Sequence, residues 1–548
     1  MKRNHKPVII VCLLIVLLVA AGAASQIISR YIPSRQQMDL NEYYGQVAEG
    51  EAVVIIGTEI LEDRGLLAGE EAYLPMSLVR SRLNQRFYWD GENQQVLYAT
   101  PSELTSAAAS AEPGSEVWLN GDTVYLNLSY VKQFTDLDTY VYQNPGRIAV
   151  QKRFYNVNTV TVKKDTYVRY RGGIKSEVLT FVPGGTTLRL MEELDEWDQV
   201  ATDDGYIGYI EKKKVSEPEV VDIPRDFQKE QYTYITMDEP VNLVWHQVTT
   251  QEANAYLGEA TVNMTGVNVI SPTWFSIADN SGNITNIASA DYVNQAHERG
   301  LKVWGLVDNF SVDISTTEVL SHTGSRQNLI RQLVDTALAV GLDGINIDFE
   351  SLSEDAGIHF LEFLREMSIE CHKNNLVLSV DNPVPEDFTS HYDRAEQGRV
   401  VDYVIIMGYD EHYVGSEAGS VASLSWVEKG IQDTLEEVPA ERVINAVPFY
   451  TRLWKTSAEG VTSEAIGMDQ AQEVISKYNV ETYWDSSTGQ NYGTYESEGA
   501  TYQIWLEDAE SLAAKVQLSG QYGLAGVAAW KLGFENSSIW QVITDHLK

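Results

Sequence analysis

The chain has 548 residues, 44% of them hydrophobic and 10% aromatic, enough for several cores; length alone suggests about three or four domains. A net charge of −38, from 40 basic against 78 acidic residues, excludes bulk electrostatic binding of nucleic acid or an anionic surface, and leaves a neutral partner open. Two cysteines, Cys12 and Cys371, make no disulfide framework. At the N-terminus, Lys2, Arg3 and Lys6 precede an uncharged run from Pro7 to about Ala24, just long enough to cross a bilayer. Basic residues ahead of the run put 1–6 in the cytoplasm, make 7–25 a single-pass transmembrane signal anchor and place the remainder outside the cell. The alternative is a signal peptide cleaved near Ala21-Gly22-Ala23-Ala24, with the chain then secreted.

Residues 42–150 contain a faint repeat, Tyr73-Leu74-Pro75-Met76-Ser77-Leu78-Val79 and Tyr125-Leu126-Asn127-Leu128-Ser129-Tyr130-Val131. An aromatic strand follows each copy, and the small residues of 107–114 read as a loop between them. This pattern resembles the copper amine oxidase N-terminal-like module of bacterial surface proteins. No copper is implied, and no histidine cluster is present to bind it. Residues 156–216 carry turn signals at Gly172-Gly173, Pro183-Gly184-Gly185 and Asp203-Asp204-Gly205. With Val168-Arg169, Trp197 and Gly208-Tyr209-Ile210 they are spaced as in bacterial SH3-like domains. That resemblance implies either contact with cell-wall peptides or glycans, or a rigid spacer. Residues 217–231, charged and with Pro218 and Pro224, read as a linker to a domain spanning 232–548.

In that last domain, β-branched and aromatic segments alternate with helical ones. The strands are expected at 241–248, 267–277, 301–309, 344–350, 376–383, 402–410, 442–450 and 523–533. Between two of them, Leu329/Leu333/Ala337 and Ile330/Val334/Leu338 form a helical stripe after a Ser325 cap and before a Gly341 stop. Eight strands alternating with helices are the pattern of a (β/α)8 TIM barrel, whose chemistry sits at the C-terminal strand ends. The expected architecture is therefore multidomain: an α/β barrel preceded by two small β-rich modules and the N-terminal helix.

The fourth strand is the most informative. In Asp343-Gly344-Ile345-Asn346-Ile347-Asp348-Phe349-Glu350, strand alternation puts Asn346, Asp348 and Glu350 on one face and Ile345, Ile347 and Phe349 on the other. Two carboxyls that close do not ionise together readily, which suits a general acid with a helper. A solvated strand end or a divalent-metal ligand pair fits the same pattern. The segment resembles the D-G-x-D-x-D-x-E motif of glycoside hydrolase family 18, the chitinase-like enzymes, matching at Asp343, Gly344, Asp348 and Glu350 and departing at Asn346. Further matches are Met407-Gly408-Tyr409-Asp410 on strand six, Pro448-Phe449-Tyr450 on strand seven and Trp530 on strand eight. The stretch from Ile504 to Leu532, with Trp505, Lys515 and Trp530-Lys531-Leu532-Gly533, resembles the bacterial subgroup acting on spore and cell-wall glycans.

The resemblance implies substrate-assisted retaining hydrolysis without metal or other cofactor. Glu350 would protonate the glycosidic oxygen, and Asp348 would hold the 2-acetamido N–H and steady the cyclised cation. Tyr409 would bond the acetamide oxygen. Asn346, Met407, Asp410, Tyr450 and Trp530 would contact the sugar. Because Asn346 removes a negative charge, Asp348 is expected to stay ionised to lower pH than it would beside an aspartate. The substrate is expected to be an N-acetylated glycan, peptidoglycan before chitin. The alternative is a catalytically silent, lectin-like surface protein, against which the presence of Glu350 speaks. Trp274, Phe275, Trp304, Tyr450, Trp454, Tyr483 and Trp484 fall at or beyond strand ends, where rings stack on sugars or pack the core. His412, following Asp410-Glu411, is placed either to touch substrate or, as a lone histidine more often does, to make a structural hydrogen bond; His246 and His391 carry no stronger signal.

Overall fold

A computed structural model describes residues 6–547. The chain divides into two units, one formed mainly by residues up to Lys229 and the other mainly by residues from Glu230 onward. The apolar N-terminal run lies in one helix, Lys6–Tyr31, whose Ile9 to Val19 side chains are exposed. Among the described residues no helix is long and apolar enough to cross a membrane. The anchor expected at 7–25 lies partly outside the residues whose side chains are described. The expected cytoplasmic stretch 1–6 lies outside the described residues except for Lys6.

Within the N-terminal unit, the repeat is visible as two strand-helix pairs. Glu71–Pro75 runs into the helix Met76–Arg82, and Thr123–Asn127 runs into the helix Leu128–Phe134. The two strands pair antiparallel with Tyr73 opposite Asn127 and Pro75 opposite Tyr125, so the copies face each other about a local pseudo-twofold. The stretch expected as a loop, 107–114, begins instead inside the strand Leu104–Ser110. Of its small residues Ala107 alone is buried, so no hydrophobic period marked it. A second sheet of seven strands runs from Val157–Thr161 to Glu219–Val221. Val53, Ile55 and Ala149 of the first module share one apolar cluster with Val160, Val168, Val200 and Ile210 of the second, so the two expected modules pack as one body. The expected linker is also structured at its start. Glu219–Val221 pairs with Val157–Thr161, while the Arg225 guanidinium lies 3.6 Å over the Phe154 ring and bonds Asp136 and Asp138 at 2.9 and 2.6 Å.

The C-terminal unit is a closed barrel of eight parallel strands: β1 (Val241–His246), β2 (Val269–Ile277), β3 (Lys302–Asp308), β4 (Gly344–Asp348), β5 (Val377–Pro383), β6 (Tyr403–Met407), β7 (Val443–Pro448) and β8 (Gly526–Trp530). Pairing of β1 with both β2 and β8 closes the ring. Each expected strand is present, trimmed at its ends. The interior is filled by Val241, Leu243, Trp245, Trp304, Leu306, Tyr403, Ile405 and Ile444. Alternate residues face a larger apolar layer shared with the helices. The helix Thr323–Val340 buries Leu329, Ile330, Leu333, Val334 and Ala337 and stops at Gly341 in the left-handed region, φ 84°. It departs from expectation twice: Leu338 is 50% exposed, and Ser325 lies inside the helix, its hydroxyl bonding the carbonyls of Val319 and His322.

One element was not foreseen. Between β7 and β8 the chain builds a separate antiparallel sheet of five strands, from Tyr450–Ser457 to Ala500–Leu506, with the helix Met468–Tyr478. It is joined to the barrel through Glu507, which accepts bonds from Lys515 Nζ at 2.7 Å, Gln490 Nε2 at 2.7 Å and Ser511 Oγ at 2.9 Å, with both charges wholly buried. Removing one partner of such a pair leaves the other charge without water or counter-ion. Lys515→Met is expected to cost about 3–5 kcal/mol in chemical denaturation of the C-terminal unit. The double change Glu507→Gln with Lys515→Met should recover most of that loss, because it removes both charges together.

Candidate active site

The site forms where β3 to β8 end. On β4, Ile345, Ile347 and Phe349 pack into the outer apolar layer, which turns Asn346 and Asp348 inward. Asp343, at the other end of the strand, bonds Lys302 Nζ at 2.8 Å and His297 Nε2 at 2.7 Å and plays no part in the mouth. Glu350 follows the strand. Its backbone is pinned by Asn309, whose Oδ1 accepts from Glu350 N–H and whose Nδ2 donates to Glu350 O, both at 2.9 Å. The Glu350 side chain opens to solvent on one side and is crowded by protein on the others. That crowding raises its proton affinity, and the charges of Asp410 and Asp308 add to the effect.

Asp348 is 6% exposed, and its Oδ1 has no hydrogen-bond partner among the described residues. Burial first, then the charges of Asp381, Glu350 and Asp308, push its carboxyl well above the usual range. Whatever charge Asn346 removes from β4, Asp348 still holds its proton above the usual carboxylate range, because burial and a carboxylate on the next strand, neither of them visible along the motif, both raise it. Asn346 itself, expected to touch substrate, is wholly buried. Its Oδ1 accepts from Trp245 Nε1 at 2.9 Å and Ser271 Oγ at 3.2 Å, and its Nδ2 donates to Ser379 Oγ at 3.1 Å and Asp381 Oδ1 at 2.8 Å. With two donations made and two accepted, the amide has no capacity left for a ligand. It supports the site from one layer below.

The remaining expected residues gather at the mouth. Tyr409 follows β6, its ring 6.1 Å from that of Tyr450. Burial, then Tyr450 and the acids Asp348, Asp381 and Glu350, hold its hydroxyl protonated and so able to donate. Tyr450 is buried and donates to Asp410 Oδ1 at 2.6 Å, so it orients that carboxylate rather than lying open to a sugar. Arg452 lies 3.8 Å from the same oxygen. Met407 ends β6 between Pro383 and Ala446, and Trp530 ends β8 with its ring 6.0 Å from Trp245.

Two acids were missed: Asp381 on β5 and Asp308 at the end of β3, the latter bonded by Ser276 Oγ. The signal was available, since each is a lone acid at an inward position of an otherwise apolar parallel strand. Among the aromatics, Trp274, Phe275, Trp304 and Trp454 are core residues, whereas Tyr483 and Trp484 are exposed on the inserted sheet. The three histidines are structural. His246 Nδ1 meets Tyr292 Oη at 2.8 Å and is lowered to about 4 by burial and by Lys531; His391 and His412 bond the carbonyls of Leu352 and Ser420. Among the described residues no three His, Cys, Asp or Glu side chains are placed to hold a metal ion.

A family model described as glycosyl hydrolases family 18 matches residues 206–535, which take in the whole barrel and every acid of the mouth. The chain belongs to that family. It is 27% identical over 308 residues to a protein described as the uncharacterized glycosylase YvbX of Bacillus subtilis, covering 54% of this chain and 89% of that one. It is 25% identical over 246 residues to the cortical fragment-lytic enzyme of Bacillus anthracis, covering 43% of this chain and 57% of that enzyme. The fold is shared with a chitinase of Chromobacterium violaceum at a TM-score of 0.51 and 23% identity, over 56% of this chain and 99% of that one. The family 18 chain is accordingly a glycosidase.

The arrangement places a carboxyl with raised proton affinity at the open mouth and an acceptor without a partner deeper in, suited respectively to giving a proton and to receiving an N–H. Asp410 tunes the first. Its negative charge makes Glu350 hold its proton to higher pH, so Asp410→Asn should let that proton go earlier. The alkaline limb of the pH–rate profile is expected to move to lower pH in this variant, whatever happens to the height of the curve. An unmoved limb would mean that burial alone sets the acid.

Proposed function

We propose that the barrel hydrolyses β-1,4 bonds following an N-acetylated amino sugar in peptidoglycan, with retention, the substrate's own 2-acetamido group acting as nucleophile. The observation that carries this reading is Asp348 Oδ1, a buried acceptor with no protein partner, on the inward face of the strand that leads to Glu350. An acetamide N–H satisfies it, and a buried polar atom otherwise left bare costs about 1–3 kcal/mol. Glu350 gives its proton to the leaving oxygen, and the Tyr409 hydroxyl donates to the acetamide oxygen. Asp410, oriented by Tyr450, holds a sugar hydroxyl, while Met407 and Trp530 line the pocket. Placing fixed charge where a cation develops, in a site poor in water, is where such an enzyme gains most of its rate.

Peptidoglycan is preferred to chitin on two grounds: the cortical fragment-lytic name of a relative, and the resemblance of residues 156–216 to wall-binding SH3-like domains. The exposed apolar side chains of the helix Lys6–Tyr31 support attachment to a cell membrane with the barrel on its outer side.

Two measurements test this function. Full-length protein incubated with peptidoglycan and with chitin oligomers, products read by mass, is expected to release fragments from peptidoglycan with the N-acetylated sugar at the new reducing end. Glu350→Gln should lower kcat on the order of 10²- to 10⁴-fold while still binding glycan, since it removes the transferable proton and keeps the shape. For the mechanism, a substrate de-N-acetylated at the reacting sugar should not be turned over, and a thiazoline mimic of the cyclised sugar should inhibit competitively. Equal rates on acetylated and de-acetylated substrate would refute substrate assistance.

A further inference from the structure

Asp381 is 1% exposed on an inward position of β5, a costly place for a carboxylate with no role. The register between β4 and β5 pairs Asn346 with Ser379 and Ile347 with Val380, so the next rung sets Asp348 beside Asp381. Neighbouring strands lie about 4.8 Å apart, and both side chains point into the barrel. Two carboxyls at that separation in a water-poor interior do not both ionise; they hold one proton between them. The two ends of the pair are not equivalent. Asn346 Nδ2 donates to Asp381 Oδ1 at 2.8 Å, which favours the charged form of Asp381, while Asp348 Oδ1 has no partner. The other titratable groups that act on the pair are Asp308 from β3, Glu350 beyond β4, Tyr392 beyond β5 and Tyr409 beyond β6, acids and phenols that supply no positive charge.

We propose that Asp381 is the positioning residue that shares a proton with Asp348: at rest the proton sits on Asp348, and it passes to Asp381 as Asp348 becomes the anion facing the cyclised, positively charged sugar. This rests on the substrate-assisted reading given above. The step balances, since the Asp348 O–H bond breaks, an Asp381 O–H bond forms, and no charge leaves the pair. The carboxylate that the family motif puts two residues before Asp348 on its own strand is thus supplied from the neighbouring strand. The amide at 346 holds the substitute in place. Burial raises both carboxyls, and each is raised further by neighbouring acids, as a shared proton requires.

The proposal is tested on the full-length protein in two ways. With aspartates carrying a labelled carboxyl carbon, infrared titration is expected to show a protonated aspartate persisting at neutral pH, and to show it lost at lower pH in Asp381→Asn, where the repelling charge is gone. In turnover of an N-acetylated oligosaccharide, Asp381→Asn should lower kcat on the order of 10²-fold with KM nearly unchanged. Its acidic limb should move to higher pH, because Asp348 must then surrender its proton to solvent before reaction. The double change Asn346→Asp with Asp381→Asn, which returns the carboxyl to β4, should restore the limb and most of kcat. A wild-type protein with no protonated aspartate at neutral pH, a profile for Asp381→Asn that superimposes on wild type, or a loss that the double change does not rescue would each overturn the pairing. If wild type cleaves no N-acetylated glycan, the functional reading falls, and the infrared titration of wild type against Asp381→Asn, which needs no substrate, still decides the pair.

Discussion

Asn346 joins four barrel strands through one side chain. Its carbonyl accepts one hydrogen bond from Trp245 on β1 and another from Ser271 on β2, while its amino group donates to Ser379 and Asp381 on β5. Trp245 can only donate and the carboxylate Asp381 can only accept, so the orientation of the amide follows from its neighbours. A fully satisfied polar network in a low-dielectric interior is stiff, because moving any member leaves another unpaired at a cost larger than a surface bond would carry. The floor of the mouth is therefore rigid. Asp348, one step above that floor, inherits a fixed position.

On this floor stands an unusual concentration of like charge. Asp308, Asp348, Glu350, Asp381 and Asp410 come from four strand ends, and Arg452 stands 3.8 Å from Asp410 at the rim. Such crowding costs stability in the resting protein. It is offset by protonation, since burial and mutual repulsion raise Asp348, Glu350 and Asp381 together. The same repulsion is relieved when positive charge develops in the mouth, so the arrangement stabilises a cation more than it stabilises a neutral sugar. That differential is what accelerates a reaction. It also explains how an acidic chain can act on a glycan with no need for bulk attraction.

Much of the barrel was legible because parallel strands buried on both faces read as continuous apolar runs and their helices carry a 3.6-residue stripe. The two strand-helix pairs were legible as a repeat because corresponding apolar positions are buried alike, Leu74 with Leu126 and Val79 with Val131. The inserted sheet was not. Tyr450–Ser457 follows β7 with only Phe449 between them and no turn residue, so nothing in the pattern marks where the barrel ends. Trp454 consequently looked like a rim residue, although it is buried in that sheet with its Nε1 bonded to Gly419 O. Leu338 shows the converse limit, since helical spacing locates a stripe and cannot say where a neighbouring element stops covering it.

Asn346 teaches more than any of these. Taken along the strand, the missing carboxylate looked like a loss of charge beside Asp348, and a lower proton affinity followed. In a closed parallel barrel, however, an inward position is as near to the rung of the adjacent strand as to the residue two places away on its own. Charge can move between those places with little change in the field at Asp348, provided the vacated position holds a group that can bond the newcomer. An amide does this, because it donates to the carboxylate while filling the volume of the acid it replaces. A departure from a linear motif at a barrel position is thus incomplete information until the same layer of both neighbouring strands has been read.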